Sequence, residues 1–183
     1  MNAASAAPSG EPLGIIDPMR DSRRMVGRTT ELDRVVAALG LPEGSGGVVV
    51  LSGDAGIGKT RLLHDVAARA EQAGQLLAVG HCVAEAGADL PYLPFAELIT
   101  SLHARAPEQI GEVADTHPVL AQLLAGTPAR GEVRASTGPG LMAEAVHAAL
   151  TRVADSRGLL VVIEDAHWAD HSSRDLLTLL LTR

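Results

Sequence analysis

The 183-residue chain is short of several residue types, and each shortage removes a class of function. It has one cysteine, Cys82, so no internal disulfide can form and a reducing, cytoplasmic compartment is expected. Its aromatics are Tyr92, Phe95 and Trp168, too few to build a stacking platform for single-stranded nucleic acid. Basic residues are outnumbered, 15 Lys plus Arg against 22 Asp plus Glu, for a net charge of -7. No broad basic face for DNA can come from that balance, and a bound anion must be held by a local device. Long apolar runs are also missing. Leu159 to Ile163 and Leu176 to Leu181 fall far short of the roughly 20 residues that cross a bilayer, and the first two dozen residues carry acid and proline where a signal peptide needs an apolar stretch.

What remains is 46% hydrophobic and 20% charged, enough apolar surface for one globular domain. Residues 1–24, rich in Ala, Ser, Pro and Gly without a sustained period, read as a disordered tail, and residues 25–183 as the folded core. Leu32, Val35, Val36 and Leu39 repeat at helical spacing, and Gly40 and Pro42 close that helix. Val48 to Leu51 is a β-branched run without polar alternation, the pattern of a strand buried on both faces. A glycine-rich stretch follows, then a helix marked by Leu62, Leu63, Val66, Ala67 and Ala70 that stops at Gly74. Leu76 to Val83 predicts a second strand, with Gly80 and His81 against it. Pro91 and Pro94 precede a helix from about Phe95 to Arg105, which Pro107 closes. A short helix is expected at Val119 to Leu124, a loop over Gly126 to Gly140, a helix over Leu141 to Asp155, a third buried strand over Leu159 to Ile163, and a last helix capped by Ser172 or Ser173.

Strands alternating with helices predict an α/β fold, a parallel sheet flanked by helices. Three strands are fewer than an average sheet holds, and the last helix has no stop signal. The expectation is an incomplete domain, a fragment of a longer protein.

Gly53-Asp54-Ala55-Gly56-Ile57-Gly58-Lys59-Thr60 fits the phosphate-loop pattern G-x-x-x-x-G-K-T between a strand and a helix. Glycines allow positive φ and close approach, so successive backbone N–H groups can face a phosphate, and the helix adds its unsatisfied N–H groups and positive dipole end. Lys59, the chain's single lysine, brings a compact charge to the outer phosphates, and the Thr60 hydroxyl suits magnesium. Some hundred residues on, Leu159 to Ile163 runs into Glu164-Asp165. Carboxylates at the carboxyl end of a buried strand lie at the same sheet edge as the phosphate loop. Neighbours on a strand face opposite ways, so the two have different tasks: Glu164 is assigned to magnesium and Asp165 to the attacking water. His167 and Trp168 follow, and both read as structural rather than catalytic.

Four blocks in order, Met25-Val26-Gly27-Arg28, Ser52 to Arg61, Leu90-Pro91-Tyr92-Leu93-Pro94-Phe95, and Glu164-Asp165-Ala166-His167-Trp168-Ala169-Asp170, resemble the ATPase domain of large ATP-binding regulators of the LuxR type. Those are AAA-like P-loop NTPases, signal-transduction ATPases with numerous domains. The resemblance implies that Val26, Gly27 and Arg28 lie near the adenine, that residues 53 to 61, Arg61 included, hold the phosphates, that Thr60 and Glu164 hold magnesium, and that Glu164-Asp165 is the Walker B pair. Where relatives commonly begin that pair with Asp, this chain has Glu164. The resemblance also implies that a strand beyond residue 183 inserts between the Walker B strand and the phosphate-loop strand. The expected function is then an ATP-binding, slowly hydrolysing switch module that works with other domains or subunits of a transcription regulator and does not bind DNA itself. A non-hydrolysing nucleotide- or partner-binding fragment is the alternative. A small-molecule kinase is less favoured, because the arginines are scattered rather than gathered in a lid.

Overall fold

A computed structural model describes residues 29–41, 46–84, 91–125 and 139–182. The tail expected over residues 1–24, the Val26, Gly27 and Arg28 block, and most of the loop expected over Gly126 to Gly140 lie outside the described residues. Among the described residues, seven helices and two strands follow one another: α1 (Thr29–Ala38), α2 (Lys59–Gln72), β1 (Leu76–His81), α3 (Leu93–Arg105), α4 (Pro107–Thr116), α5 (Leu120–Leu124), α6 (Pro139–Arg157), β2 (Leu159–Glu164) and α7 (His171–Leu181), with a 3-10 turn at Ala166–Trp168 before α7.

β1 and β2 pair in parallel, in register from Leu76 opposite Leu159 to His81 opposite Glu164. Both strands are apolar on nearly every residue because both faces of the sheet are covered. Leu77, Leu160 and Val162 pack with Leu32, Leu62, Val66, Ala67 and Ala70 of α1 and α2. Leu76 and Ala78 face the other way, into a larger core with Phe95, Leu98, Ile99 and Leu102 of α3, Ile110 of α4, Leu123 of α5 and Met142, Val146 and Val153 of α6. The mixed α/β architecture, a parallel sheet between helices, is thus observed as an incomplete P-loop NTPase fold.

The strand expected at Val48 to Leu51 is not formed: this segment has no ladder hydrogen bonds. Val48 and Val50 are 68% and 85% exposed, while Leu51 packs against the α1–α2 core. A strand needs a neighbour to accept and donate its backbone bonds, and the two strands among the described residues pair with each other. The sheet therefore has two described strands where three were expected.

Gly80, which weakened the case for the β1 strand, has a packing reason. A Cβ built on it would lie 2.3 Å from the Pro94 carbonyl oxygen, so only glycine lets the start of α3 rest on β1. Pro107 was expected to close the helix before it, and α3 does end at Arg105; Pro107 also starts a further helix, which was not expected. Proline suits the first helical position, where its missing N–H is not needed, and α4 runs from it to Thr116 on two buried side chains, Ile110 and Val113. Pro139 and Gly140, expected in a loop, are likewise the first residues of α6. The last helix is capped by Asp170 rather than by Ser172 or Ser173: the Ser173 N–H donates to Asp170 Oδ1 at 3.1 Å, and the buried Ser173 hydroxyl donates to Asp170 Oδ2.

Candidate phosphate site and acidic strand end

Three glycines of the loop before α2 have positive φ: Gly53 at 152°, Gly56 at 78° and Gly58 at 97°. Gly58 is the N-cap of α2 and brings no side-chain cap, so the helix presents its first backbone N–H groups to the loop. Lys59 turns back over the loop. Its Nζ donates to the carbonyl oxygens of Gly53 at 2.8 Å and Asp54 at 2.9 Å, which fixes the ammonium above the concave side of the turn. Gly53 to Ile57 and Thr60 are exposed, Gly58, Lys59 and Arg61 half-buried. The loop is thus preformed, open to solvent, and carries a point charge at a helix N-terminus, the chemistry that holds a phosphate.

The acidic pair sits where β2 ends. Glu164 is the last residue of the strand, and its backbone carbonyl accepts from the Cys82 N–H at 3.1 Å. Its side chain is about four-fifths buried; Oε2 lies 3.7 Å from His81 Nε2, and Oε1 is buried without a hydrogen-bond partner. Asp165 leaves the strand in the left-handed region, φ 52°, which exposes its carboxylate and lets its backbone carbonyl accept from Trp168 at 2.8 Å. The two acids therefore have different surroundings. Trp168, expected to pack, is 53% exposed and tilted against the His167 ring at 5.0 Å between centroids.

A turn of three residues joins α2 to β1, so the two run antiparallel. The 14 residues of α2 span about 21 Å and the six of β1 about 20 Å, which returns Lys59 to the level at which the strands end. Among the described residues, Lys59 and Thr60 make no hydrogen bond or ion pair with Glu164 or Asp165.

Two residues at this edge were not singled out from the sequence as site residues. The His81 backbone N–H donates to Glu97 Oε2 at 2.8 Å, and its Nδ1 lies 3.0 Å from the same oxygen. Glu97 projects from α3, two residues beyond the Leu90 to Phe95 block. A histidine that closes a buried strand was the available signal, since that position always lies at the carboxyl edge of the sheet. Beside it, Cys82 is buried, and its thiol is pushed up to about 11, first by burial and then by the negative charges of Asp170, Asp165 and Glu97. It is a protonated, inert neighbour at neutral pH.

The donor set suits a magnesium ion. The exposed Thr60 hydroxyl and the Glu164 carboxylate, with its unpartnered oxygen, are hard oxygen ligands. No group of three His, Cys, Asp or Glu side chains able to hold a metal occurs among the described residues, so the remaining ligands would be phosphate oxygens and water, as is usual for magnesium. No helix among the described residues is long and apolar enough to cross a membrane.

A family model described as AAA ATPase domain matches residues 24–183. An uncharacterized protein of Rhizobium meliloti (strain 1021) is 30% identical over 175 residues, which cover 84% of this chain and 16% of that protein. The chain thus spans about a sixth of the length of the curated relative it matches. No solved structure matches.

Proposed function

Because the chain belongs to the AAA ATPase domain family, we propose that it is the ATP-operated switch of a larger transcription regulator of the LuxR type, acting in the cytoplasm with the other domains or subunits of that regulator. Residues 53 to 61 hold the phosphates, with Lys59 transferring its two carbonyl bonds to phosphate oxygens. Val26, Gly27 and Arg28 contact the adenine. Thr60 and Glu164 hold magnesium, which when bound neutralises charge developing on the phosphate oxygens. Asp165, exposed at the strand end, orients the attacking water. Hydrolysis is slow and resets the switch. The observation that carries this reading is the Lys59 ammonium held inside a preformed glycine loop at an uncapped helix N-terminus.

A second reading is favoured by the unpaired Val48 to Leu51 segment: nucleotide binds without turnover, because the loop's leading segment is not held in the sheet beside β2. Phosphate release, measured beside ATP affinity, separates the two. The switch predicts magnesium-dependent release that Asp165→Asn removes while binding persists. Binding without release in the parent chain supports the second reading, and neither binding nor release refutes both.

A further inference from the structure

The strongest unassigned feature is the side-chain chain that leads from α3 to the acidic strand end. Glu97 stands one turn into α3, on a helix whose start is pressed onto β1 at Gly80. Its Oε2 takes two bonds from one residue, the His81 backbone N–H at 2.8 Å and the ring Nδ1 at 3.0 Å. The backbone bond pins the oxygen beside His81, and the ring contact then holds the two side-chain torsions, χ1 and χ2, that place and rotate the imidazole. That rotation sets Nε2 3.7 Å from Glu164 Oε2, within ion-pair range but outside hydrogen-bond range. Glu164 in turn is placed by its register opposite His81 and has one oxygen buried with no partner. A carboxylate so confined takes its orientation from the group beside it, and His81 forms its ion-pair contact among the described residues.

We propose that Glu97 and His81 are positioning residues for Glu164: Glu97 sets the His81 ring, and the ring sets where the Glu164 carboxylate lies. The proposal rests on the reading of Glu164 as the magnesium-side acid. It makes α3 more than a packing helix. A displacement of α3, by a partner or by the rest of a regulator, would act on the acidic pair through one oxygen of Glu97, without touching the phosphate loop. Ligand-holding groups supported in this way from a second layer typically lose about tenfold to a hundredfold in activity or metal affinity when the support is removed.

The test uses the full chain as parent, Glu97→Gln, Glu164→Gln and the double substitution, with magnesium ATP affinity, phosphate release and unfolding midpoint measured for each. The ring nitrogens of His81 are followed by nitrogen-15 spectra of histidine-labelled protein, assigned with His81→Asn. The expected result is phosphate release about tenfold slower in Glu97→Gln, with ATP affinity and midpoint unchanged and the double substitution no slower than Glu164→Gln. In the spectra, Glu164→Gln moves Nε2, and Glu97→Gln moves both nitrogens. Release in Glu97→Gln equal to the parent, with Glu164→Gln slowed, overturns the proposal. So does an Nε2 resonance unmoved by Glu164→Gln, a readout that requires no turnover. Parent-like release and magnesium dependence in Glu164→Gln itself would instead strike down the assignment of Glu164 on which the proposal rests.

Discussion

Replacing Gly80 by alanine should separate α3 from β1, and the size of the effect can be worked from the contact. The added Cβ would lie 2.3 Å from Pro94 O, 2.9 Å from Pro94 C and 3.0 Å from Pro94 Cα, all backbone atoms that cannot rotate away. Ordinary contact begins near 3.4 Å, so the start of α3 must retreat by about 1.1 Å (3.4 less 2.3). Phe95, Leu98, Ile99 and Leu102 retreat with it, each at most 2% exposed, and a gap of that size forfeits a quarter to a half of their dispersion contacts with the sheet. Forced repacking of this kind costs about 1–3 kcal/mol. The same motion lengthens the 3.0 Å His81–Glu97 contact to about 4 Å, past hydrogen-bond range. Gly111 in α4 supplies the control: a Cβ there meets nothing within 4 Å, and alanine in a helix gains about 0.5–1 kcal/mol over glycine. Urea unfolding of Gly80→Ala and Gly111→Ala should therefore shift the midpoint in opposite directions. A Gly80→Ala chain that unfolds with the parent would show that α3 does not approach β1 this closely.

Asp170→Ala removes the acceptor of both Ser173 bonds and leaves the buried Ser173 hydroxyl without a partner; the expected loss is about 1–3 kcal/mol, read from denaturant midpoints, and an unchanged midpoint would contradict the cap. Cys82 makes the stability depend on alkaline pH. Its folded value, about 11, lies above the ordinary thiol value of 9.0, so between them the unfolded chain has lost a proton that the folded chain keeps. Stability falls as pH rises through that window, by about 3 kcal/mol at most, and Cys82→Ala should flatten this part of the profile; an unaltered slope would count against the burial of the thiol. The same thiol should resist alkylation at pH 8 in the folded chain and react once the chain is unfolded.

Much of this could be read along the chain, and the exceptions share a cause. Leu159 to Ile163 declared itself as a strand because five apolar residues in a row need both faces covered, and α6 and α2 supply the covers. The phosphate loop was legible because its chemistry is local: glycines, lysine and threonine act within eight residues. Val48 to Leu51 has the same composition as a buried strand, yet pairing is a relation to another segment, and composition carries no information about whether that segment is present. α4 was hidden because Pro107 is equally a stop and a start, and two apolar residues, Ile110 and Val113, are too few to show a period. The Glu97–His81–Glu164 chain was invisible for a further reason. Its members come from α3, β1 and β2, and only the strand register and the absent side chain of Gly80 bring them to one edge.

Whether Gly53 to Arg61 forms a working phosphate site is decided by a calorimetric titration of magnesium ATP into the full chain and into Lys59→Ala. A phosphate site there gives saturable binding by the parent and its loss in Lys59→Ala, with the circular dichroism of the two chains the same. Equal binding by both chains, or none by a folded parent, would contradict it.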